Sequence, residues 1–215
     1  MSQELMPDPF QDHPEGNWEA AHRPKAIEAI ERALRRYDAG EVTMAELRSD
    51  KNPQGIKFWL WFMQHPPNER WKKIGRPYWS ADAYATWRRQ FLQTPEEKRF
   101  HRDGRPALCT LPRRAAGEDW LIHEHVVPQK VLLDWLISRL DSVVEVLAHN
   151  IGAVITRRED RRLPSRSSHV DPRDPWRRYA GTGIQFVSNP RWTAQERRAL
   201  EKYDLVAADC EHALE

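Results

Sequence analysis

The chain has 215 residues, 40% hydrophobic and 31% charged, enough for one domain or two small ones with a real core. A mean hydropathy of −0.82, with no apolar run near the roughly 18 to 20 residues that cross a bilayer, argues against a transmembrane helix and a membrane partner. The formal net charge is only +2, but it is unevenly placed: residues 1–50 hold 6 Lys/Arg against 11 Asp/Glu, leaving 28 against 21 in residues 51–215.

Residues 1–17 carry four acids and three prolines with little apolar periodicity, so they are expected to form a flexible arm. They contain no apolar segment of secretory type, which points to the cytoplasm. From Pro24 the positions Ile27, Ile30, Leu34 and Tyr37 recur at helical spacing, with Arg35 and Arg36 in the last turn and Gly40 as the stop. Ile56 to Met63 is apolar on every side and must be buried, as helix or strand, and His65-Pro66-Pro67 ends it. Ser80 reads as the N-cap of a helix carrying Tyr84, Trp87, Phe91 and Leu92, and Thr94-Pro95-Glu96-Glu97 starts a short one. Residues 18–104 are thus a helical region.

Arg102-Asp103-Gly104-Arg105 is turn-prone and marks a boundary, with residues 105–215 as the second region. Ala107 to Thr110 and Trp120 to Val127 read as a hairpin. Pro128 opens a long helix with Val131, Leu132, Trp135, Leu140, Val143, Val144 and Leu147 on one face, ending near His149-Asn150. Ala153-Val154-Ile155 is a third strand. Thr156-Arg-Arg-Glu159 is a capping box that starts a helix through Leu163 and explains Glu159 without any chemistry. A loop fills 164–175, and Thr193-Ala-Gln-Glu196 caps a last helix toward Cys210. The fold class is α+β, predominantly α-helical, with a small hairpin and helix module in the second region.

Leu121-Ile-His123-Glu124-His125-Val-Val-Pro128 concentrates three ionisable groups on a strand, where unpaired charge costs several kcal/mol when buried. Period-two alternation puts His123 and His125 on one face and Glu124 on the other, unless the strand breaks before Pro128. Glu124-His125-Val126-Val127-Pro128 resembles the Asp-His-Ile-x-Pro signature of HNH (ββα-metal) endonucleases, and Thr156 to Leu163 is similar to the start of that family's helix, with Asp160 where histidine is usual. The resemblance covers about residues 105–165. It implies Mg²⁺ or Mn²⁺ held by Glu124 and Asp160, with His123 as a further candidate ligand. It also implies His125 as the base that activates water, Asn150 as the residue that orients it, and hydrolysis of phosphodiester bonds in DNA, or less directly RNA.

Eight arginines and four acids lie between Arg157 and Arg178. Arg157, Arg158, Arg161, Arg162, Arg177 and Arg178 are candidate phosphate contacts, and Trp176 a stacking wall. Three other readings stand beside this one. A catalytically inactive module of the same fold would bind nucleic acid or protein. A Zn²⁺ site would use His123, His125 and a remote ligand such as Cys109 or His149, because His-x-His on one strand face suits Zn²⁺ better than Mg²⁺. A helical interaction protein would act through its Trp-rich first half. Two cysteines, Cys109 and Cys210, allow neither a disulfide framework nor a four-cysteine zinc site.

Overall fold

A computed structural model of the chain describes residues 10, 18–65, 76–99, 113–139, 141–164 and 170–208. It is a predominantly helical α+β structure with one three-stranded sheet. None of its helices is long and apolar enough to cross a membrane.

Helix α1 (Trp18–Asp38) carries the expected apolar stripe, but it starts six residues ahead of Pro24. A tertiary contact holds that early start: the Trp18 indole donates to Phe62 O at 3.0 Å and its ring stacks on His22. Helix α2 (Met44–Leu47) is a single turn closed by the Thr43/Glu46 capping box. The apolar stretch after it is helix α3 (Ile56–Gln64), whose Ile56, Leu60 and Met63 are wholly buried against Ile30 and Leu34 of α1.

The long helix expected from Pro128 is two helices, α7 (Gln129–Ser138) and α8 (Val143–Ala148). Arg139 ends α7 in the left-handed conformation (φ 56°), and the Ser142/Glu145 capping box starts α8. The apolar spacing runs through this break because both helices line the same core, together with α1 and α3. The boundary expected near residue 105 therefore does not divide the packing, since the first core is built from both sides of it.

Three more helices precede the sheet's second strand: α4 (Ala81–Gln93), capped by Ser80 as expected, and the single turns α5 (Glu96–Arg99) and α6 (Arg113–Ala116). The sheet itself has the order β1-β3-β2. Strand β1 (Tyr78–Trp79), which the sequence pattern does not announce, runs parallel to β3 (Gly152–Thr156). Strand β2 (Leu121–His125) runs antiparallel to β3, with His123 opposite Val154 and His125 opposite Gly152. Ala107 to Thr110, the expected hairpin partner of β2, lies outside the described residues. One face of the sheet, with Leu121 and Val154, packs with Trp79 and α4 residues Ala83 and Trp87. The other, with Ala153 and Ile155, is covered by Tyr78, Trp176, Tyr179 and Phe186.

Helix α9 (Arg157–Asp160) has the predicted capping box but ends after one turn, and the chain reaches Leu163 as a turn. Helix α10 (Ala194–Glu201) also stops early, ahead of Asp204 at positive φ (55°), and Cys210 lies outside the described residues. Glu159 is 1% exposed, and its Oε2 accepts from Ser80 Oγ at 2.6 Å, Thr156 N at 2.8 Å and Thr156 Oγ1 at 3.0 Å, tying α9 to the start of α4.

Burial pushes the Glu159 carboxyl above its ordinary 4.5, against the pull of its hydrogen-bond donors. A raised folded-state pKa means that the folded chain holds the proton more tightly than the unfolded one. The resulting stability is full below the unfolded value and is lost as pH rises through the folded value. Thermal unfolding from about pH 4 to about pH 7 will accordingly show the melting temperature of the wild type falling relative to that of Glu159→Gln, and a constant difference would contradict it.

Candidate metal centre

Strand β2 is regular through His125, so its alternation holds and both imidazoles leave the same face of the sheet. Helix α3 ends at Gln64, and the next residue, His65, brings a third imidazole to that corner. The ring centroids lie 4.9 Å (His65–His123), 5.5 Å (His65–His125) and 5.1 Å (His123–His125) apart. One ring nitrogen from each residue lies within 4.8 Å of the other two, and all three side chains are half-buried. Among the described residues no other group of three His, Cys, Asp or Glu side chains is so arranged.

His123 Nδ1 and His65 Nε2 lie 3.4 Å apart. Two nitrogens bound to one tetrahedral ion at about 2.0–2.1 Å stand roughly 3.3–3.4 Å from each other, so this spacing is the edge of such a site. The third nitrogen lies within 4.8 Å of both. Imidazole donors suit Zn²⁺, Cu²⁺ or Ni²⁺, whereas Mg²⁺ and Mn²⁺ prefer oxygen.

The His65 imidazole is held from behind. His65 Nδ1 lies 2.7 Å from Trp61 O; a carbonyl only accepts, so Nδ1 carries the hydrogen and Nε2 presents its lone pair to the cluster. The Trp61 indole stacks on the same ring, with centroids 4.5 Å apart and planes 8° from parallel. The end of α3 is fixed to the entry of β3 by Asn150. Gln64 Nε2 donates to Asn150 O at 2.5 Å and Oδ1 at 2.7 Å, and Asn150 Nδ2 donates to Leu60 O at 3.1 Å. Asn150, the expected orienter of the base, is thus a 2%-exposed clamp one residue behind His65. Gly152 leaves room for the site, since a Cβ there would stand 2.5 Å from His123 Nε2.

The carboxylates expected to hold the ion are not part of this group of imidazoles. Glu124 is on the opposite face, in an ion pair with Arg178 (Nη1–Oε1 3.0 Å) in which each side chain is at most 5% exposed. The same Nη1 donates to His125 O and Val126 O, both at 3.2 Å, so Arg178 braces the backbone under His125. Asp160 closes α9. With burial as the main cause, Glu124 and Asp160 both help push the hydroxyl pKa of Tyr179 up, on that opposite side. Regular alternation puts Glu124 and His125, adjacent in sequence, on opposite faces of the sheet.

The arginine-rich run is largely an ion-pair lattice. Arg158 pairs with Asp82 at 3.2 Å and Asp119 at 3.8 Å, Arg161 with Glu118 at 2.6 Å, and Arg162 with Asp82 and Glu159 at 3.8 Å each. Arg177 is exposed and Arg157 half-exposed. Trp176 is 4% exposed and belongs to the aromatic core rather than to a surface wall. Of the remote third ligands considered for a zinc site, His149 packs on Trp135 at the end of α8 and Cys109 lies outside the described residues. The third imidazole is His65 instead. It stands 58 positions before His123, and in the sequence it appears only as the polar residue closing an apolar helix.

Comparison of the chain with protein-family models, with curated proteins and with solved structures finds no match.

Arg178→Met removes the partner of a buried carboxylate and the donor to two carbonyls, and is expected to cost about 3–5 kcal/mol in urea denaturation. Adding Glu124→Gln to that variant should restore part of the loss, because the uncompensated charge is then gone.

Proposed function

We propose that the chain is a metal-dependent hydrolase whose ion is held by His65, His123 and His125, with Zn²⁺ as the ion class in place of Mg²⁺ or Mn²⁺. The observation that carries this is the convergence of three imidazole nitrogens within 4.8 Å of one another. Among the described residues three protein ligands converge, and three ligands with one free position is the catalytic pattern, where closed structural zinc sites take four. When bound, such an ion supplies Lewis acidity at the free position, lowering the pKa of water there toward neutrality and polarising the bond to be cleaved.

The chain's own residues supply orientation. Trp61 sets the tautomer and plane of His65, the sheet fixes His123 and His125, and Arg178 braces the strand end beneath them. His125 serves here as a ligand rather than as the base implied by the family resemblance. Phosphodiester bonds of DNA, or less directly RNA, are the substrate class. That choice rests on the resemblance around His125, and the order β2, β3 and capped α9 supports it. The pairing of Arg158, Arg161 and Arg162 with acids favours a second reading, a binding module of the same fold that holds the ion without turnover.

Purified chain titrated with Zn²⁺ should bind one ion, and His123→Ala or His65→Ala should weaken that binding at least tenfold, read by competition with a chromophoric chelator. Plasmid nicking in Zn²⁺ that EDTA abolishes supports the hydrolase. Tight Zn²⁺ binding without nicking supports the binding module, and unchanged affinity in both alanine variants removes the metal centre altogether.

A further inference from the structure

Gln64 is a wholly buried residue with its two ends doing different things. Its Nε2 donates twice to Asn150, whereas its Oε1 is buried and has no hydrogen-bond partner among the described residues. A buried amide oxygen without a donor costs of order 1–3 kcal/mol, so its position asks for a reason. Oε1 converges on the same point as the His123 ring: the Cβ position at Gly152 lies 3.1 Å from Gln64 Oε1 and 2.5 Å from His123 Nε2. His123 therefore has Nδ1 turned toward His65 and Nε2 turned toward the side where Gln64 Oε1 waits.

The tautomer of His123 follows from its neighbours. His65 donates from Nδ1 to Trp61 O, so its Nε2 is an acceptor, and the 3.4 Å approach of His123 Nδ1 is satisfied without metal when that Nδ1 carries the hydrogen. An ion on Nδ1 needs a lone pair there, and the neutral ring must then carry its hydrogen on Nε2. We propose that Gln64 is a positioning residue for the metal centre: on loading, His123 changes from its Nδ1–H to its Nε2–H tautomer, and the Nε2–H is received by Gln64 Oε1. One proton leaves Nδ1 to water and one is taken from water at Nε2, so the ring stays neutral throughout. An acceptor behind a ligating imidazole fixes the ring and raises its basicity. The inference rests on the trihistidine reading and adds which nitrogen of His123 binds and what stands behind it.

The test is histidine ¹⁵N NMR of the full chain without metal and with one equivalent of Zn²⁺, alongside Zn²⁺ affinities of Gln64→Glu and Gln64→Met. Expected are His65 bound through Nε2 and His123 through Nδ1 with its hydrogen on Nε2, a loss of about tenfold or more in affinity for Gln64→Met, and substantial recovery in Gln64→Glu, which keeps the acceptor oxygen. Binding of His123 through Nε2 in the wild type would overturn the proposal by itself, whatever the variants do. Equal losses in Gln64→Glu and Gln64→Met would also overturn it, by assigning the effect to the lost donor bonds with Asn150. If no histidine signal responds to Zn²⁺, the metal centre fails and this proposal with it, an outcome distinct from the other two.

Discussion

A β-strand sends successive side chains to opposite faces, and the arrangement of this site depends on that constraint in β2. His123 and His125 share one face because they are two residues apart, and Glu124 is excluded from it because it lies between them. The separated groups meet different chemistry. On one side the imidazoles meet the end of α3, and on the other Glu124 meets Arg178 in a pocket of aromatic side chains. A one-residue bulge in β2 would exchange these surroundings, burying an imidazole against Arg178 and leaving the carboxylate without its cation. The ion pair on the far face thus works against slippage as well as bracing the His125 carbonyl.

The second requirement is the seam between α3 and β3. His65 is useful only if the end of α3 is held against the sheet, and the described contacts that do this run through Asn150, Gln64 and Leu60. Behind that seam, α3 packs against both α1 and α7, with Leu60 and Met63 wholly buried. Fully burying one such side chain is worth about 1.5–3 kcal/mol, so the helix that carries His65 is anchored by several of them rather than by the polar clamp alone. The clamp sets where the helix ends; the apolar packing keeps it there. The helical first region and the sheet are consequently parts of one assembly as far as the site is concerned.

Local signals in the chain were legible wherever they act over a few residues. The capping boxes at Thr156 and Thr193, the N-cap at Ser80, the apolar stripe of α1 and the alternation in β2 all take the form that their residues predict. The break between α7 and α8 was hidden although Ser142 and Glu145 form the same kind of box, because the apolar positions on either side face one core and keep the helical rhythm. Strand β1 is two residues long, too short for any periodicity, and its pairing with β3 comes from a partner more than seventy positions away. The arginine run read as free charge because its acids, Asp82, Glu118 and Asp119, lie in other segments.

By itself, then, the sequence determined the class of the fold, the capped helix starts at Ser80, Thr156 and Thr193, and the face on which His123 and His125 stand, since the caps and the alternation follow from interactions reaching at most four residues along the chain. It did not determine the third imidazole or the fate of Glu124. Those depend on α3 ending over the corner of the sheet and on Arg178 arriving beneath it. Only the folded chain brings such distant segments within hydrogen-bonding reach, because hydrophobic burial selects the packing of helices and strands without regard to the polar groups they carry.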